Sequence, residues 1–115
     1  MKNLDLIYGV LLYSIAHILV FFQINGQFLH NSFKKYEFVV AAMGIVVSYL
    51  YIYATEYSYK ATDGLLWPGR FIGFGIGMMI YATGLYIFFN EGLTMKTTVS
   101  LILCIALISI QVLWK

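Results

Sequence analysis

Charge is what this sequence has least of: 10% of its residues are Asp, Glu, Lys or Arg, against 62% that are hydrophobic. A soluble domain carries roughly a quarter of its residues as charges, because its outside must face water. A chain of 115 residues with this composition falls outside that class and reads as an integral membrane protein. Its net charge of +2 is spread thinly, which excludes the basic face a nucleic-acid partner requires. Cysteine occurs once, as Cys104 inside an apolar run, so no internal disulfide can form. His30 lies outside the apolar runs, and Cys104 and His17 lie in different ones, so no metal-ligand spacing arises and no metal is expected. Carboxylates do not cluster, serines lack a paired base, and no phosphate-cradling glycine loop follows a strand. No catalytic residue, no cofactor and no enzyme activity is expected.

Long uncharged runs fill the space that charge leaves. Residues 71–90 contain no Asp, Glu, Lys, Arg or His, which matches the roughly 20 residues a helix needs to cross about 30 Å of hydrocarbon. Similar runs occupy 6–22, 38–55 and 97–114. Lys2 ahead of the first run is similar to the start of a signal peptide, but no small-residue cleavage site follows, so the run is read as a retained helix. The spans are placed at about 5–23, 37–57, 67–89 and 96–114. Between them lie a polar, glycine-containing stretch at 23–35, expected as a loop outside the hydrocarbon, a turn at 60–64, and a short link at 90–96. The one proline, Pro68, falls in the first turn of the third span, where its missing N–H costs nothing. Tyr49, Tyr51, Tyr53, Tyr57 and Tyr59 read as a belt at headgroup level.

The expected fold is all-α: a single domain of four transmembrane helices in an up-and-down antiparallel bundle in the lipid bilayer, a multi-pass protein of the plasma (inner) membrane. Both termini then share one side with Lys2, Lys60, Arg70 and Lys115, while Lys34, Lys35 and Lys96 lie on the other. That balance favours cytoplasmic termini by one charge under the positive-inside rule, and is even enough to permit insertion both ways.

The third run carries Gly69, Gly73, Gly77 and Gly84 along one side of a helix. Small residues on one stripe let another backbone approach, the usual means of helix association where lipid removes the hydrophobic drive. The stripe is expected to be a packing seam, against a neighbouring helix or a second copy of the chain.

Four short spans, a glycine-rich third helix preceded by Trp67, Pro68 and Gly69, and the join FFNEGLTMKTTVSLILCIALISI resemble the small multidrug resistance proteins and the wider drug/metabolite transporter (DMT) superfamily. The layout covers the whole chain; the specific likeness is confined to residues 67–110. The resemblance implies an antiparallel homodimer that carries a small-molecule substrate between subunits. Multidrug members bind cations and protons in turn on a glutamate in the middle of the first helix. Here Ser14 and His17 stand in that region, so proton-coupled drug exchange is not implied.

The polar groups at membrane depth are the remaining candidates. His17 lies mid-span with Tyr13 one turn before it and Ser14 three residues before, and ionisable groups at such depth face the protein interior or a cavity. His17 is either a neutral histidine bonded to Ser14, Tyr13 or another helix, or a substrate contact or proton-sensitive site. Glu56 ends the second span and Arg70 begins the third, each at the unfavourable pole of its helix dipole. A mutual ion pair is expected, with Asp63 sharing the arginine; the alternative is an Arg70 that faces the mouth of the bundle for an anionic substrate. Tyr13, Ser14, His17, Trp67 and Arg70 form the substrate-binding candidates. The expected function is a small transporter that moves a polar or amphipathic molecule as a homodimer; from another class, the chain is a noncatalytic assembly or accessory subunit of a membrane complex.

Overall fold

The computed structural model describes residues 2–114, and among them every regular element is helical. Lys115, counted in the charge balance, lies outside the described residues, as does the side chain of Lys2. In chain order the helices are α1 (Lys2–Asn25), α2 (Asn31–Lys35), α3 (Glu37–Ala42), α4 (Gly44–Ala61), α5 (Trp67–Phe89) and α6 (Met95–Leu113), with a single 3₁₀ turn at Gly26–Phe28. Four stretches are long and apolar enough to cross a membrane: Asn3–Phe28, Glu37–Ala61, Trp67–Phe89 and Met95–Leu113. They coincide with the expected spans to within a few residues at each end. Four such apolar helices fit a multi-pass membrane protein.

The stretch at 23–35 corrects the expectation of a plain loop. α1 continues to Asn25, and α2 starts where His30 Nδ1 accepts the Ser32 backbone N–H at 3.1 Å. A histidine nitrogen thus satisfies a donor that a helix start would otherwise leave open. The second span is also interrupted, at Met43 between α3 and α4. The side-chain amide of Gln23 donates to the Val40 carbonyl at 3.1 Å, and a side chain that enters the backbone ladder is a recognised cause of such breaks.

The other boundaries follow their local chemistry. After α4, Thr62 Oγ1 donates to the Ser58 carbonyl at 2.7 Å. Gly64 then takes φ 78°, a conformation open to glycine, and its N–H reaches the Tyr59 carbonyl at 2.9 Å. Pro68 sits in the first turn of α5. Thr94 caps α6, its Oγ1 accepting the Thr97 N–H at 3.1 Å.

The long helices stand in an open row, α4–α1–α5–α6, in which α4 also touches α5 and α6 rests chiefly on α5. The extents of 46 × 36 × 18 Å fit this flat arrangement. The row buries a thin seam of Tyr13, Ala16, Phe21, Val47, Ala54, Ile72 and Cys104. Its outside is apolar, with Ile7, Leu11, Ile45, Ile52, Ile102 and Leu103 exposed.

The glycine stripe faces α1. A methyl added at Gly73 would lie 3.0 Å from Tyr13 Cε1, at Gly77 2.5 Å from His17 Cε1, and at Gly84 2.6 Å from the Phe21 ring. At Gly69 it would lie 2.5 Å from Ser58 Oγ of α4 and 3.4 Å from Tyr13 Oη. The neighbouring-helix alternative therefore describes this seam. Rings from α1 of the same chain fill this face.

Candidate functional site

Two helices set the site by the same spacing. Tyr13 and His17 lie one turn apart on α1, and Tyr51 and Thr55 lie one turn apart on α4, so each pair projects from one face. The faces meet: Tyr13 Oη and Thr55 Oγ1 are 3.3 Å apart, and Tyr51 Oη and His17 Nδ1 are 3.2 Å apart. The His17 and Tyr51 rings stand nearly edge-on, with centroids 5.4 Å apart at 77°. On the far side of α1 the glycines of α5 make room for the same side chains, so Tyr13 is 5% exposed although it carries a hydroxyl.

Between these helices lies a cleft of about 550 Å³, within the range of roughly 300–1,000 Å³ usual for small-molecule sites. Tyr13 and His17 line it from α1, Tyr51 and Thr55 from α4, and Arg70 and Phe74 from α5. Leu66 completes the rim, and Gly69 and Gly73 contribute backbone surface. A second groove of about 400 Å³, lined by Phe21, Phe22, Met79 and Phe88 among others, is almost wholly apolar. The chemistry therefore concentrates in the first cleft, where hydroxyls, an imidazole and a guanidinium converge on aromatic walls.

The expected site residues divide. Tyr13, His17 and Arg70 come together in the cleft. His17 shares a hydrogen bond with Tyr51 of α4, a partner on another helix. Ser14 does not join them; its hydroxyl bonds back to the Val10 carbonyl at 2.8 Å, a local option open to serine within a helix. Trp67 does not join them either: it is 73% exposed and stacks on Phe71 with ring centroids 5.8 Å apart.

The expected Glu56–Arg70 ion pair is replaced by another. Glu56 lies 3.0 Å from Lys60 one turn later on α4, with both side chains about half exposed, while Arg70 lines the cleft. Glu56 is satisfied on its own helix, a neighbour that spacing alone supplies. Asp63 is engaged in the turn region with φ 59° and is not among the residues lining the cleft.

Tyr51, Thr55 and Phe74 were not anticipated. Tyr51 was assigned to a headgroup belt with its neighbours, yet it turns inward while Tyr49 and Tyr53 are 58% and 50% exposed. The available sign was the one-turn spacing of Tyr51 and Thr55, shared with Tyr13 and His17 on α1. Among the described residues no three of His, Cys, Asp and Glu come close enough to hold a metal ion. The cleft's own groups suit hydrogen bonding, ring stacking and attraction of an anion. No protein-family model matches this chain, and neither a curated protein nor a solved structure is found to be similar to it.

Proposed function

We propose that this chain is a small transporter that carries a polar or amphipathic molecule across the plasma (inner) membrane. Its four long helices cross the bilayer up and down, antiparallel to their sequence neighbours, with both termini on one side. The ordering of contacts supports that topology: from Gly9 through Tyr13 and His17 to Gln23 on α1, the partners fall from Ser58 through Thr55 and Tyr51 to Val40. The cleft between α1, α4 and α5 is the observation that carries the functional reading. Hydrogen bonds between helices also serve packing in a membrane; hydroxyls, an imidazole and an arginine gathered around an open space add what a carrier needs, groups that exchange partners with a passing solute.

A homodimer completes the carrier in this reading. With the glycine face taken by α1, the second copy would meet α6, whose Val99, Ile102, Leu103 and Ile110 point outward. The test is flux in liposomes that contain only the purified protein and are preloaded with mixed small metabolites. Protein-dependent exchange that is lost in Tyr51→Phe and His17→Gln, with insertion intact, supports the carrier. Absence of exchange for every compound, together with recovery of a fixed-ratio partner protein from membranes, would establish the accessory-subunit alternative instead.

A further inference from the structure

The charge in the cleft is one-sided. Arg70 is its one permanently charged side chain, and among the described residues no carboxylate lines it. Glu56 is occupied by Lys60 and Glu37 by Lys34, at 3.0 and 2.9 Å, and no ion pair joins Arg70 to an acid among the described residues. Arg70 belongs to the first turn of α5, whose N-cap, Leu66, provides no side-chain acceptor. The guanidinium and the positive pole of that helix therefore reinforce one another at the same rim.

The opposite end of the cleft is different. His17 packs against Gly77, seven residues along α5 from Arg70, which places the His17–Tyr51 pair about 10 Å from the arginine's level at 1.5 Å per residue. Between these ends the walls are the rings of Tyr13, Tyr51 and Phe74. Aromatic walls, with the Tyr13 and Thr55 hydroxyls set among them, thus connect a cationic rim to a hydrogen-bonding end.

We infer that the cleft selects organic anions with a flat apolar body: a carboxylate, sulfonate or phosphate on Arg70, a ring system between the tyrosines and Phe74, and a polar tip that reaches the His17–Tyr51 pair. The inference rests on the reading of this cleft as the substrate site. A lipophilic cation would meet an arginine here with no acid to compensate it. A bidentate anion suits the guanidinium, whose planar fork matches two oxygens at once.

The test uses the full chain in nanodiscs of phosphatidylcholine with probes matched in shape and opposite in charge: indole-3-acetate and naphthalene-2-sulfonate against tryptamine and 2-naphthylmethylamine. The anions are expected to bind saturably and the amines neither to bind nor to compete. Arg70→Gln should weaken anion binding about ten-fold or more, the loss that follows one charge-assisted hydrogen bond. Arg70→Lys should retain part of it, and Arg70→Glu should turn the preference toward the amines, which a merely structural arginine would not do. Phosphatidylglycerol added to the nanodisc distinguishes sources: competition with indole-3-acetate assigns the anion site to a lipid headgroup, which overturns the selection of a flat free anion, and persistence supports it. Amines preferred by the parent, anion binding unchanged in Arg70→Gln, or binding of neither series would each overturn the inference. Arg70-dependent anion binding without flux would sink the carrier reading and leave the inference standing; amine flux indifferent to Arg70 would do the reverse.

Discussion

Gly77→Ala is the sharpest perturbation of the seam between α1 and α5. The added methyl would stand 2.5 Å from Cε1 and 2.8 Å from Nδ1 of His17, and Nδ1 is the atom that meets Tyr51 Oη at 3.2 Å. The imidazole cannot retreat from Gly77 without moving against Tyr51, whose ring stands edge-on to it. Overpacking of this kind costs about 1–3 kcal/mol, and the loss of an interhelical side-chain hydrogen bond adds about 0.6 kcal/mol in a membrane setting. Relief of a glycine inside a helix returns about 0.8–1.0 kcal/mol. The steric and hydrogen-bond losses outweigh it, and a net destabilisation of about 1–2 kcal/mol is expected. Gly92→Ala is the control, since a methyl there meets nothing within 4 Å. The assay is unfolding in a single detergent, followed by circular dichroism at several protein concentrations. Because α1 of the same chain fills the seam, the loss should not vary with concentration. A Gly77→Ala protein as stable as Gly92→Ala, or a loss that grows on dilution, would refute the intramolecular seam.

Tyr51→Phe should cost about 0.6 kcal/mol and should couple with His17→Gln; strictly additive effects in the double-mutant cycle would show that the 3.2 Å contact contributes nothing. Glu56→Gln and Arg70→Gln should be additive in thermal stability, because Glu56 is held by Lys60 and Arg70 faces the cleft; a significant coupling energy would restore the ion pair rejected above. Lys34→Ala or Lys60→Ala should shift the ratio of orientations read by labelling single cysteines from each side, since the flanking charges are nearly balanced; a one-sided pattern unmoved by either change would exclude dual insertion.

The spans were legible because a bilayer imposes one length on every crossing, and an uncharged run of that length has few other uses. The glycine stripe was legible as a seam for a related reason: a repeat of four keeps residues on one side of a helix. What lay opposite was not legible, since spacing defines a face and leaves its partner open. Tyr51 shows the same limit. Five tyrosines crowd 49–59, and composition assigns them to one belt. Helical rotation separates them, turning Tyr51 inward with buried Val47, Ala54 and Ser58. Glu56 was misassigned because two helix ends were expected to meet, while Lys60 one turn away offered a partner that required no tertiary contact.

Both sides of α1 are closely packed: toward α4, Gly9 lets the backbone approach so nearly that a methyl there would lie 3.3 Å from Ser58 N. Toward α5, Tyr13, His17 and Phe21 lie successively against Gly73, Gly77 and Gly84, large groups seated on small ones in close van der Waals contact. Such contacts are individually weak and collectively strong, and a gap of even half an ångström forfeits much of them. Toward α4, the same Tyr13 and His17 make single hydrogen bonds of 3.3 and 3.2 Å, each of which a solute hydroxyl or carboxylate could replace. Such substitution removes little net energy, because one hydrogen bond is exchanged for another. The Tyr13 and His17 side chains are therefore expected to exchange partners in the cleft while α1 stays packed against both α4 and α5. Any yielding of the second span is expected at Met43, between α3 and α4, where Gln23 draws on the Val40 carbonyl.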